Sequence, residues 1–145
     1  MSGLTLAFIF VGITFGSALT IQLFVLPALM NRISDRSTVT RVSIAFLRNH
    51  HTMAVLLLAA ASVLFFRAGK LPAASVTAAL LLLNLYQRFW VFTKIHLVKQ
   101  PIGVQDLIQP DNVLREEFNR LNRRTFLLFR IHLLLLLVDL IIGAI

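Results

Sequence analysis

Cysteine is absent from the 145 residues. That excludes disulfides and any zinc or iron–sulfur site held by thiolates. Charge is scarce too: only 14% of the residues are Asp, Glu, Lys or Arg, against about 25% in an ordinary soluble domain. So small a polar complement cannot coat a water-soluble fold of this length. Acids are the scarcest, 6 against 14 basic residues, and they are too dispersed for paired acid–base chemistry. The phosphate-binding glycine loop, the HExxH zinc helix and the nucleophile turn of hydrolases are all missing. The chain therefore leans away from being an enzyme.

What is abundant is apolar surface: 58% hydrophobic residues and a mean hydropathy of +0.85. The natural solvent for such a chain is lipid, which predicts a multi-pass integral membrane protein. The net charge of +8 then belongs to cytoplasmic ends and anionic lipid headgroups. No nucleic-acid motif accompanies it, and no nucleic acid is expected.

A membrane crossing needs about 20 apolar residues. Four stretches qualify, about residues 4–30, 46–66, 73–93 and 125–145. The first follows Met1-Ser2-Gly3, which has no basic residue, and no small-x-small cleavage site follows it. It reads as a retained helix rather than a signal peptide. Its Gly12 and Gly16 form a GxxxG step, either a ridge for close helix packing or the ordinary frequency of glycine in membrane helices. Val39, Val42 and Phe46 are spaced three or four apart, predicting an amphipathic inner segment over about 37–46 ahead of the second span. Gly69 and Pro72 mark a short turn.

Tyr86, Phe89, Trp90 and Phe92 gather at the end of the third span as an aromatic belt. Pro101, Gly103 and Pro110 mark a loop, and Asp111 or Asn112 is a good N-cap for the last helix. From there to Ile145 a helix is about 50 Å long, against a hydrocarbon core of about 30 Å. Its first turns, about 112–124, must project into water. They carry an apolar stripe, Leu114, Phe118 and Leu121, and a Glu116–Arg120 pair.

Orientation follows from the basic residues. Arg32, Arg36, Arg41 and Arg48 surround the first connection. Arg88, Lys94, Lys99, Arg115, Arg120, Arg123 and Arg124 surround the third, and the middle turn has only Arg67 and Lys70. The two basic connections belong inside. The expected fold is an all-α, four-helix transmembrane bundle, N-out and C-out, with a cytoplasmic extension of the fourth helix.

Polar residues inside the spans form the candidate site: Gln22, Asn84, Gln87, Arg88, Arg130, His132 and Asp139. Exposing an ionisable group to lipid costs about 2.5–3.5 kcal/mol on insertion scales, so these should face the bundle interior or a cavity. His132 and Asp139 share a face. They read either as a site for a proton, ion or ligand, or as structural hydrogen bonds from His132 to Asn84 or Gln87. Arg130 lies opposite His132, on a stripe with Arg123, placed to snorkel to the inner headgroups. Arg115, Arg120, Arg123 and Arg124 are candidate lipid or partner contacts. His50 and His51 point about 100° apart on a helix and cannot jointly grip one metal ion without help. One of them with His132 could ligate haem b, as bis-histidine sites in four-helix bundles do. The candidate haem or metal ligands are thus His50, His51 and His132.

Phe129-Arg130-Ile131-His132, with Asp139 seven residues on, resembles the last-helix signature of a membrane family, domain of unknown function 4149, which includes proteins similar to transmembrane protein 205. Asn84-Leu-Tyr-Gln-Arg-Phe-Trp90 resembles its third helix. Pro27-Ala-Leu-Met, a basic linker, Phe46 and the His pair resemble its first loop and second helix. The family's small polar residue after the His is Leu135 here, and its Asn is Asp139. The resemblance implies a four-helix membrane bundle and specifies no activity. The anthrone-oxygenase-like membrane proteins share the four-span layout and a final-helix His, a weaker likeness.

Three functions remain open at this point. One is a binding or accessory subunit that docks through its helices onto itself or a larger membrane complex. Another is a small transporter or channel component with a polar path through the bundle. The third is a haem- or quinone-linked redox protein.

Overall fold

The computed structural model describes residues 2–34, 36–99 and 113–145, and every regular element among them is helical. The loop markers Pro101, Gly103 and Pro110 and the caps Asp111 and Asn112 lie outside the described residues, as do the side chains of Leu114 and Arg115.

Helix α1 spans Gly3–Arg32, built from Gly3–Thr20, a π turn at Ile21–Val25 and Leu26–Arg32. Helix α2 spans Arg36–Arg67. Helix α3 runs on through Leu71–Tyr86, a second π turn at Gln87–Val91, and Phe92–Lys99. Helix α4 spans Val113–Ala144. The Ser2 hydroxyl caps α1 by accepting from the Thr5 N–H at 3.2 Å. At the end of α2 the Lys70 N–H donates to the Phe65 carbonyl at 3.0 Å and the Gly69 N–H to Phe66 at 3.1 Å. This C-terminal motif needs a left-handed residue, and Gly69 supplies it with φ +74°. Pro72 then sits in the first turn of α3, where a missing N–H leaves no helical bond unmade.

Among the described residues three helices are long and apolar enough to cross a membrane: Gly3–Arg32, Thr38–Arg67 and Glu116–Ala144. Helix α3 does not reach that measure, having Asn84, Gln87 and Arg88 in succession along its length. It also continues past residue 93 to Lys99, because no Gly or Pro interrupts it and Val91, Phe92 and Ile95 bury one face. The 37–46 segment and the second span form one unbroken helix.

The helices pack in a ring, α1 on α2, α2 on α3, α3 on α4 and α4 on α1. Small residues line the seams: Ala7, Val11 and Ala18 from α1, Ala54 and Ala61 from α2, Ala73 and Ala74 from α3. They bring the backbones close. On α4 the buried positions are Leu121, Thr125, Phe129, His132, Leu136, Asp139 and Gly143, three or four apart throughout. That is one continuous inward stripe. The outward face carries Leu127, Leu134, Leu137, Val138 and Ile141, all exposed. Polarity is inverted relative to a water-soluble protein: the outside is greasy, and among the described residues ten buried ones are polar or charged.

The expected glycine ridge is not where the close packing is. Among the described residues a Cβ at Gly12 or Gly16 meets nothing within 4 Å. At Gly143 a Cβ would lie 3.0 and 3.1 Å from the Phe8 ring and 3.3 Å from the Phe65 ring. Those two rings pack edge to face at 5.4 Å. The surface pair on α4 also differs from expectation: Arg120 meets Glu117, at 3.7 Å, rather than Glu116.

Replacing Gly143 with Val should overpack this seam and cost about 1–3 kcal/mol, read as a lowered unfolding midpoint in detergent. Gly12→Ala and Gly16→Ala should be neutral or stabilising by about 0.4–1 kcal/mol, through helix propensity and reduced unfolded-state freedom.

Candidate functional site

The interior of the ring is organised around one amide. Asn84 is fully buried on α3. Its Nδ2 donates to the Leu80 carbonyl at 2.8 Å, and that contact identifies which end of the amide is nitrogen. The second hydrogen of the same nitrogen faces Nδ1 of His132 on α4, at 3.1 Å. The Asn84 oxygen faces Nδ1 of His51 on α2, at 2.5 Å. Proton bookkeeping then assigns the tautomers. His51 carries its proton on Nδ1 and donates. His132 accepts at Nδ1 and carries its proton on Nε2.

His50 is set from the opposite side. The Ser17 hydroxyl on α1 donates to the Thr14 carbonyl at 3.0 Å, so its single hydrogen is already engaged. Nδ1 of His50, 3.1 Å away, must donate to it. His50 therefore also presents a bare Nε2. The Nε2 atoms of His50, His51 and His132 are all buried without a hydrogen-bond partner.

The three rings touch. His50 and His51 lie 5.4 Å apart between centroids, and each is 5.8 Å from His132. Phe129 sits against all three at 5.5–6.4 Å, and Phe92 against His51 at 5.7 Å. The 100° between neighbouring positions of α2 does not separate the two histidines functionally. Both α1 and α3 flank α2, so His50 turns toward α1, His51 toward α3, and α4 closes on both. Among the described residues no group of three His, Cys, Asp or Glu side chains stands as ligands around one metal ion. A bis-histidine haem needs a porphyrin plane between its two rings, and here the rings are in mutual contact.

Asp139, two turns further along α4, is buried. Its Oδ2 lies 2.7 Å from the Thr77 hydroxyl, which is also 2.8 Å from the Ala73 carbonyl. One hydroxyl hydrogen cannot serve both acceptors. With Asp139 protonated, the acid donates to Thr77 and Thr77 donates to Ala73. With Asp139 ionised, Thr77 turns its hydrogen to the carboxylate. Oδ1 of Asp139 has no partner in either case. His132 and Asp139 share a face without bonding each other.

The sequence-predicted set divides. Asn84, Gln87, His132 and Asp139 join His50 and His51 in the buried interior. Gln87 is wholly buried with both amide atoms unpaired. It opens the π turn of α3, and Gln22 lies in the π turn of α1, irregularities that recur at functional sites. Arg88 is outside this interior: its Nε donates to Thr52 on α2 at 2.9 Å near the surface, and its guanidinium lies over Phe89. Arg130 is exposed, and Gln22 is half-buried. Sequence reasoning missed Ser17, Thr77 and the buried Thr125. Thr125, His132 and Asp139 recur every seven residues, a heptad spacing that marks them as one polar stripe.

No family model, curated protein or solved structure matches this chain.

Histidine-labelled protein examined by imidazole ¹⁵N NMR should show His50 and His51 protonated at Nδ1 and His132 at Nε2. Asn84→Leu should abolish the contrast between His51 and His132, leave His50 as it is, and cost about 1–3 kcal/mol, the penalty for stranding buried polar groups. An unaltered spectrum in the variant would contradict the bridging role of Asn84.

Proposed function

We propose that this chain is a four-span integral membrane protein, with both termini on the non-cytoplasmic side, whose interior exchanges protons as a small transporter or channel component. The observation that carries this reading is the cluster of three buried histidines with unpartnered Nε2 atoms. Two of these nitrogens are bare and the third bears hydrogen, so the cluster contains both proton acceptors and a donor. Ionisable groups in a membrane interior mark ion pathways and proton relays by default.

The polar stripe has the necessary length. Thr125 to Asp139 covers fourteen residues of α4, about 21 Å at 1.5 Å per residue, most of a hydrocarbon core of about 30 Å. Asp139 contributes a second proton site, and the Thr77 hydroxyl can follow its state by turning between two acceptors. Basic residues concentrated at the α1–α2 and α3–α4 ends support the orientation. Asn84 and His132 also carry part of the likeness to the membrane family of unknown function, from which Asp139 departs by standing in place of an Asn, and membership of it is part of this proposal.

A second reading, an accessory subunit docking onto itself or a larger complex, draws on Gly12 and Gly16. Among the described residues no helix covers them, and a GxxxG ridge suits a close helix partner. Gly16→Ile should then shift the protein to a smaller species in native detergent complexes; an unchanged mass counts against docking through this ridge.

Proteoliposomes holding a pH-sensitive dye test the proton reading. Under an imposed membrane potential the intact protein should acidify or alkalinise the lumen above the rate of empty vesicles. His132→Gln and Asp139→Asn should each reduce that rate by tenfold or more, roughly the 1.4 kcal/mol step expected from losing one site in a relay. Equal rates in protein-free and protein-containing vesicles would remove the reading altogether.

A further inference from the structure

The arginines of α4 divide into two groups. Arg120 pairs with Glu117. Arg124 lies over the Tyr86 and Trp90 rings at 5.8 and 5.5 Å, where Lys94 also caps Trp90 at 4.2 Å. Arg123 and Arg130, seven residues apart on one face, line instead a cavity of about 870 Å³. Among the described residues neither is in an ion pair. The walls come from the last turns of α1, the first turns of α2 and the lower part of α4.

The lining has two characters. Leu26, Met30, Phe126 and Leu127 supply apolar lining, and Arg123, Arg130 and Asn122 supply polar lining. Gln22 also lines the cavity, and among the described residues its buried Oε1 has no hydrogen-bond partner. Between Met30 and Gln22 the lining follows eight residues of α1, about 12 Å. The volume falls within the roughly 300–1,000 Å³ typical of small-molecule pockets. Paired guanidiniums suit a phosphate, which they bind through several N–H groups in a fixed plane. An apolar wall beside them suits a hydrocarbon chain. A free phosphate would leave that wall empty, and a neutral lipid would leave two arginines without an anion.

We propose that this cavity holds an anionic glycerophospholipid of the surrounding bilayer, its phosphodiester at Arg123 and Arg130 and an acyl chain along Leu26 and Phe126. The site is separate from the histidine interior and stands whether or not the chain moves protons.

Native mass spectrometry of the full chain in a non-ionic detergent, with equal amounts of phosphatidylglycerol and phosphatidylcholine added, tests it. The intact protein should retain phosphatidylglycerol preferentially. Arg123→Gln and Arg130→Gln should each lower the preference about fivefold, the ratio that corresponds to about 1 kcal/mol per basic side chain near anionic lipid. Arg120→Gln and Arg124→Gln remove the same charge from the same helix away from the cavity, and should leave the preference intact. Both groups of positions are surface-exposed, so the variants should fold. An equal loss in all four variants would reduce the effect to general surface charge and overturn the assignment. Displacement of the adduct by millimolar sodium phosphate would do the same, by revealing a free-anion site. Retention of both lipids in equal amount by the intact protein would also overturn it.

Discussion

A buried amide with all its hydrogen bonds made holds the interior of this protein together. Asn84 reaches its own helix at Leu80, α2 at His51 and α4 at His132. In a medium without water each of those groups would otherwise be stranded. Because the Leu80 carbonyl can only accept, the amide has one orientation. Because the amide has one orientation, the two histidines have opposite tautomers. The tautomers of His51 and His132 thus descend from a single side chain and the backbone carbonyl beneath it, while Ser17 sets His50 from the other side.

The packing around it is the frame this amide needs. Small residues at the α1, α2 and α3 seams draw the helices close, and Gly143 admits the Phe8 and Phe65 rings at the opposite end of α4 from the arginines. Between these lies the heptad stripe of Thr125, His132 and Asp139, with Phe129 and Leu136 as apolar spacers. The stripe faces inward, and outward positions of the same stretch, Leu127, Leu134, Leu137, Val138 and Ile141, are apolar. The two π turns, each with a glutamine near its start, fall where α1 and α3 pass this region. Each loosens the regular ladder of backbone bonds where the side chains carry unpaired polar atoms.

Much of the architecture was legible in the residues. Hydrophobic runs gave the helices, Gly69 and Pro72 gave the α2–α3 turn, and the inward direction of His132 and Asp139 followed from the expense of showing charge to lipid. Other features were not legible for definite reasons. Arg88 follows Asn84 and Gln87 in sequence, but its long side chain carries the guanidinium out to Thr52. The GxxxG pattern named a ridge without naming a neighbour, and among the described residues none comes within contact of it. Adjacent histidines looked divergent on an isolated helix; a helix flanked on both sides buries both.

The sequence by itself determined the helical class, the apolar exterior, the turn at Gly69 and the concentration of positive charge at one end. These depend on composition and on contacts within a few residues. Only the tertiary structure decided that Ser17, His50, His51, Asn84 and His132 meet, that Thr77 answers Asp139, and that Arg123 and Arg130 share a cavity while Arg120 and Arg124 do not. Such meetings depend on helix rotation and relative height in the bundle, which are set by how side chains from different helices interlock and have no signature in local sequence.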